Sequence, residues 1–241
     1  MLKSIHQLCG GAMLVGAMLL PQVHAAPVVS TIDFEDPELT NLYFGGDTFT
    51  ASGFSFLVNG GPTSGSFATV DTAASYSGVK APKGNATQFF GAFDDNALEI
   101  TRADGQLFTL LGMDYGFIAG KSYAPLAMPG ALRIQGWDGN GNSIAPITVA
   151  WSADPLGEFS FHGFDLPAHT TTGLSKLSFV ACIYDANDAC TYPSDNLGQF
   201  ALDNLLLATH LDGGSVPEPS TVALLMLGLM GLGLRRRHLK S

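Results

Sequence analysis

The sequence predicts an all-β protein, an antiparallel β-sandwich set between two terminal apolar segments. Short runs rich in Val, Ile, Phe and Thr recur from residue 28 to residue 211. Clusters of Gly, Asn, Asp and Pro break them at short intervals. Between the terminal segments no window carries apolar residues at a 3.6-residue period, so no amphipathic helix is expected there. Many short strands with frequent turns imply a sandwich.

In chain order, strands are expected over Val28–Phe34, Phe54–Val58, Leu98–Thr101, Phe108–Leu111, Leu132–Trp137, Ile147–Trp151, Glu158–Phe161, Leu177–Val180 and Phe200–Leu207. Turn clusters lie between them, among them Asn59-Gly60-Gly61-Pro62, Ala103-Asp104-Gly105 and Asp138-Gly139-Asn140-Gly141-Asn142. The last resembles the opening of an EF-hand loop. Ser143 and Val149 stand where that loop needs Gly and Glu, so a hairpin turn is expected instead. No internal repeat recurs at a fixed period.

The chain carries 11 Lys and Arg against 21 Asp and Glu, a net charge of −10. Between residues 27 and 216 there are 6 Lys and Arg against 20 Asp and Glu, so this stretch stands near −14. Such a surface repels nucleic acid and anionic lipid, and nucleic acid is excluded as a partner. It suits solubility outside a cell, and its carboxylates are available to divalent cations. Of the three cysteines, Cys9 lies in the N-terminal apolar segment. Cys182 and Cys190 remain, and in an exported chain they are expected to form a disulfide around a polar loop. Their spacing is not Cys-x-x-Cys and no histidine is near, which disfavours a metal or redox pair.

The ends read as address labels. Met1–His6 is polar with one lysine, Leu8–Leu20 is an uncharged apolar run, and Pro21 precedes the small residues Ala25 and Ala26. These are the needs of a secretory signal, recognised by the translocon and cut by signal peptidase after Ala25 or Ala26. A retained anchor or buried helix is the alternative, but 13 residues is short for a span of about 20. At the other end, Thr221–Leu234 is apolar and Arg235, Arg236 and Arg237 follow it. A basic cluster stops transfer and stays cytoplasmic, which leaves the bulk of the chain outside. The 14 apolar residues make only about 21 Å of helix, so snorkelling arginines or local thinning must close the gap.

The order Val216, Pro217, Glu218, Pro219, Ser220, apolar run, arginine cluster resembles the PEP-CTERM sorting signal. The resemblance covers residues 216–237. It implies a Gram-negative host that makes exopolysaccharide, and an exosortase that cuts near Pro217-Glu218-Pro219. The precursor is then anchored transiently in the inner membrane before the product reaches the cell surface or matrix. Gln199-Phe200-Ala201-Leu202-Asp203 also fits a Gln-Phe-x-x-Asp motif of one subgroup. The implied division is a signal peptide at 1–26, a β-sandwich at 27–212 and a sorting and anchor tail at 213–241. The opening Ile32–Asp36 and closing Phe200–Leu205 look like the terminal strands of a galactose-binding jelly roll. In that class the terminal strands often pair, and carboxylates from both commonly meet at a structural calcium. Glu35 and Asp203 are the matching positions, and Ca2+ is the one cofactor expected. Calcium wants six to eight oxygen ligands, which an acidic domain supplies. The alternative is that Asp203 caps a turn and Glu35 faces water.

No motif for catalysis appears. His162, His169 and His210 show no zinc-binding spacing, and no Gly-x-Ser-x-Gly occurs. Asp94-Asp95 and Asp33 with Glu35 could serve as glycosidase acids, though adjacent acids in turns are expected to be solvated. The leading expectation is a noncatalytic, biofilm-associated protein that adheres to extracellular polysaccharide. Tyr43, Tyr76, Tyr123 and Trp137 are candidate exposed aromatics. Trp137 also reads as core, because its strand alternates imperfectly with Leu132 and Ile134. A secreted polysaccharide-degrading enzyme and a passive matrix component are the alternatives.

Overall fold

The computed structural model describes residues 27–61, 66–120, 130–151, 153–154, 156–166, 173–185, 187, 189–192 and 197–209. The signal segment and the sorting tail, with Val216 to Ser220 and Arg235 to Arg237, lie outside the described residues. So do Tyr123, His169 and His210.

In chain order the strands are β1 (Val28–Ile32), β2 (Leu42–Phe44), β3 (Thr48–Ala51), β4 (Phe54–Asn59), β5 (Phe67–Thr72), β6 (Val79–Lys80), β7 (Gln88–Ala92) and β8 (Ala97–Arg102). Then come β9 (Phe108–Phe117), β10 (Ala119–Gly120), β11 (Gly130–Asp138), β12 (Ile147–Trp151), β13 (His162–Asp165), β14 (Leu174–Tyr184), β15 (Cys190–Thr191) and β16 (Phe200–Thr209). The described helices are two short 3-10 turns, Pro37–Leu39 and Ala73–Ser75. Among the described residues no helix is long and apolar enough to cross a membrane.

Two antiparallel layers emerge from the pairing. One runs β2-β5-β7-β16-β9, with β1 along the second half of β16 and β13 along β9. The other runs β12-β11-β14-β8-β4-β3, with β15 on the end of β14. The pair Leu174–Phe108 links the two ladders at one corner. The fold is thus an all-β antiparallel sandwich. β1 and β16 pair from Val28–Thr209 to Ile32–Leu205, which brings the two ends of the described chain together.

Period-two patterning places the core. β4 buries Phe54, Phe56 and Val58 and turns Ser55, Leu57 and Asn59 outward. β8 buries Leu98 and Ile100, and β11 buries Leu132 and Ile134. Facing them are Phe90, Leu110, Phe117, Phe200, Leu202, Leu205 and Leu207 from the β16 layer. Aromatic rings fill the space. Phe49 stacks on Phe56 at 4.7 Å, and Phe117 stacks on Trp151 at 5.0 Å. Such pairs add about 0.5–1.5 kcal/mol beyond the area they bury.

One irregularity positions a functional group. Between Asp203 and Leu206 the register of β16 against β9 shifts, and Asn204 takes a left-handed backbone at φ 47°. In a regular strand Leu202, Asn204 and Leu206 would share a face. The bulge instead lets Leu202, Leu205 and Leu207 all enter the core. Asp203 is buried beside them and Asn204 is exposed.

Three sequence expectations change. Glu158–Phe161 is not a strand: Ser160 makes a single bridge to Lys83, and the strand is β13. Strands β2, β3, β5 and β7 were not expected. β7 is buried along most of its length without alternation, and β2 is only three residues long. Asp95 is not solvated. It is buried, and its Oδ1 accepts the Gly198 N–H at 2.6 Å.

Candidate functional site

Two places on the sandwich hold chemistry. The first is the carboxylate cluster at the β16 bulge. Asp203 faces Asp114 in register across the β16–β9 ladder. Its Oδ2 accepts from Asn85 Nδ2 at 2.5 Å and its Oδ1 from the Asn204 N–H at 2.8 Å. Asn204 Nδ2 donates to Asp114 Oδ2 at 2.8 Å. Burial pushes the Asp203 carboxyl up to about 7; the charges of Asp114 and Glu35 push the same way, while the two hydrogen bonds oppose. Glu35 is exposed, and its Oε1 accepts the Gln88 N–H at 2.8 Å. The fold thus brings Glu35 and Asp203 within electrostatic reach and adds Asp114 and Asn85, which sequence reasoning had not assigned to this site. Carboxylate and amide oxygens are the donor types of a hard cation. Among the described residues no three His, Cys, Asp or Glu side chains converge as a metal-holding group.

The second place is the outer face of the β14 layer. Alternation on β11 turns Arg133, Gln135 and Trp137 outward, all half-buried. Register sets Val180, Ser178 and Lys176 of β14 beside them in turn. Glu99 lies next to Ser178, and Thr148 next to Arg133 on the other side. Lys176 Nζ sits 4.1 Å from the Trp137 ring centre and 3.4 Å from Glu99 Oε1. Gln135 Nε2 donates to the Ile144 carbonyl at 2.6 Å. At the far end the Arg133 guanidinium lies 5.8 Å from the Tyr192 ring centre, within cation–π range. Tyr192 is 56% exposed.

Local structure holds both aromatic ends. Ser175 Oγ contacts the Trp137 and Asp138 carbonyls, at the register shift that closes β11. The Asn142 side chain donates to Asp138 Oδ2, and the N–H groups of Asn142 and Asn140 donate to its Oδ1; these bonds make the expected hairpin turn and hold the Asp138 carboxyl below its usual range. Cys182 and Cys190 are disulfide-bonded, with Cα atoms 5.4 Å apart. Between them Asp185 Oδ1 accepts from Asn187 and Ala189, and Tyr192 follows directly after β15.

The structure redistributes the candidate aromatics. Tyr43 and Tyr76 are core, 6% and 8% exposed, not surface groups. The Tyr43 hydroxyl donates to the Leu39 carbonyl, and Tyr76 packs on Phe89 and Phe93. Trp137 is on the outer face rather than in the core. Arg133, Gln135, Lys176, Glu99 and Tyr192 were missed. Only the i, i+2 spacing of Arg133, Gln135 and Trp137 could have pointed to them.

Residues 215–237 match the PEP-CTERM protein-sorting motif. No curated protein matches the chain. Among solved structures, a DUF4465 family protein from Bacteroides caccae shares 16% identity at a TM-score of 0.49, covering 76% of this chain and 99% of that one. A family 29 carbohydrate binding module variant shares 12% at 0.33, covering 77% and 93%. The C-terminal family 22 carbohydrate binding module of Clostridium thermocellum Xyn10B shares 12% at 0.31, covering 78% and 95%.

Proposed function

We propose that this chain is an exported surface protein whose sandwich adheres, without catalysis, to extracellular polysaccharide through the outer face of the β14 layer. The matched sorting motif implies an exported, membrane-anchored precursor recognised by an exosortase. Release then delivers the sandwich to the cell surface or to a biofilm matrix.

One observation carries the binding reading. Trp137, beside Lys176, and Tyr192, against Arg133, stand at opposite ends of a sheet face whose middle holds Gln135, Ser178 and Glu99. Aromatic faces cover the apolar faces of sugar rings, and polar side chains between them meet the hydroxyls. A sheet face with an aromatic ring at each end suits a polymer that continues past both ends. The paired terminal strands support a jelly roll of the galactose-binding type. We extend the proposal to Ca2+ held by Glu35 and Asp203. The excess of carboxylate around buried Asp203 supports it, since a cation there offsets the mutual repulsion of Asp203, Asp114 and Glu35.

The test is a polysaccharide-binding panel with wild type, Trp137→Ala and Tyr192→Ala. Wild type is expected to bind at least one polymer, with each variant at least about tenfold weaker and its melting temperature unchanged. Unchanged affinity in both variants rules out this face. Release of reducing ends from a bound polymer rules out the noncatalytic reading.

A further inference from the structure

We propose that the outer face of the β14 layer selects an acidic sugar, a uronate spaced among neutral sugars, and that Arg133 reads its carboxylate. This rests on the carbohydrate reading above and names the ligand class of the same face.

The inference starts from charge. The chain has 21 acidic residues for 11 Lys and Arg, so a cation that needs a partner has acids in surplus. Lys83 pairs with Glu158, Arg102 with Asp104 and Lys176 with Glu99. Lys80 is exposed and solvated. Arg133 differs. It is half-buried in mid-strand between Val180 and Thr148, and it has no carboxylate partner among the described residues. Its described partner is the ring of Tyr192. A ring contact takes up none of the N–H donors in a hydrogen bond, and none of them donates to a described acceptor. A guanidinium edge presents donors in a planar fork that matches a carboxylate.

The neighbourhood narrows the ligand further. Lys176 is offset by Glu99, so among the described residues the face holds one unmatched positive charge, at Arg133. One charge fits one carboxylate rather than a run of them. The net charge of −10 repels a densely anionic polymer. Arg133 and Trp137 lie four residues apart on β11, about 13 Å at about 3.3 Å per residue. A neutral sugar stacked at Trp137 and an acidic one at Arg133 can therefore belong to one chain. The face thus favours a mostly neutral polysaccharide with occasional uronates.

The experiment uses the exported protein and four probes: glucuronoxylan, the same polymer after chemical reduction of its carboxyl groups, unsubstituted xylan, and polygalacturonate. Affinities are measured by calorimetry or affinity electrophoresis. Wild type is expected to bind glucuronoxylan and to bind the carboxyl-reduced polymer about tenfold or more weakly, the scale of one charge-assisted hydrogen bond. Arg133→Gln is expected to show the same loss on glucuronoxylan and no further loss on the reduced polymer. Arg133→Lys is expected to retain part of the preference. Polygalacturonate is expected to bind less well than glucuronoxylan. Thermal melts check that each variant is folded, and the reduced polymer tests the idea without any mutation. Equal binding of native and carboxyl-reduced polymer overturns the acidic-sugar assignment and leaves the carbohydrate reading standing. So does Arg133→Gln with wild-type affinity, or tighter binding to polygalacturonate. No binding by wild type to any of the four overturns the assignment and removes the support for the carbohydrate reading as well.

Discussion

Asp203 and its neighbour Asn204 show how much one residue can decide. The Asp203 carboxyl is raised from its usual 3.8 to about 7, first by burial and then by Asp114 and Glu35. The folded state therefore holds a proton between those values that the unfolded chain releases. For a raised acid, the stabilisation present at low pH is lost as pH rises through about 7. In chelator, the melting temperature is expected to fall between about pH 4 and about pH 7, and Asp203→Asn to flatten that profile. Under the proposal, calcium bound at Asp203 would act in the opposite sense, since a cation favours the ionised carboxylate. Saturating Ca2+ at pH 8 is expected to raise the melting temperature of wild type. Glu35→Gln and Asp203→Asn are each expected to abolish that rise. No shift in wild type removes calcium from the proposal. Asn204 makes the bulge by accepting φ 47°, a region that asparagine tolerates and β-branched residues do not. Asn204→Val is expected to cost about 1–2 kcal/mol in urea unfolding, and Asn204→Gly much less.

At the scale of elements, the loop between β14 and β15 connects stability to the proposed binding face. The Cys182–Cys190 bond closes a short loop, worth about 2–3 kcal/mol by chain entropy. The same bond holds Cys190 beside Tyr184 and so places Tyr192 over Arg133. Replacing both cysteines by serine is expected to lower unfolding stability by about that amount. It is also expected to weaken polysaccharide binding, because Tyr192 loses its anchor. A stability loss with full affinity would show that β15 pairing alone positions the tyrosine. Strand β11 carries the other half of the face. Its alternation sends Leu132 and Ile134 to the core and Arg133, Gln135 and Trp137 outward, so core and face are two readings of one strand.

At the scale of the whole molecule, the sorting tail and the proposed adhesion by the sandwich can be tested separately. From sequence alone, Pro217 and Pro219 are expected to favour extended backbone, because proline fixes its own backbone and restricts the residue before it. Changing Pro217, Glu218 and Pro219 to alanine is expected to leave a full-length, membrane-held precursor in the native host. Deleting 217–241 is expected to leave a folded sandwich that is not retained at the membrane. Fractionation with immunoblotting distinguishes the two, and normal trimming of the triple-alanine protein would make the tail an anchor only. Binding measured on the deletion protein is expected to match that of the released protein, since the face lies wholly within 99–192.

The sequence alone determined the all-β class, most of the central strands, the pairing of Cys182 with Cys190 as an expectation, and the sorting motif. These are local signals: a period of two, turn residues, a cysteine pair, and an ordered string of residue types. It also singled out Asp203 and Glu35, though only by resemblance. Tertiary structure decided which aromatics face solvent. Tyr43 and Tyr76 look like surface groups in sequence because tyrosine carries a polar tip, yet their rings fill the core and their hydroxyls find backbone carbonyls. Strand β7 escaped notice because most of it is buried without alternation, which leaves no period to read. The site escaped for a different reason. Arg133, Lys176, Glu99 and Tyr192 come from four strands or their edges, and only register sets them side by side. A one-residue slip in any of those pairings would turn the strand's outward side chains into the core, and a linear sequence does not state its register.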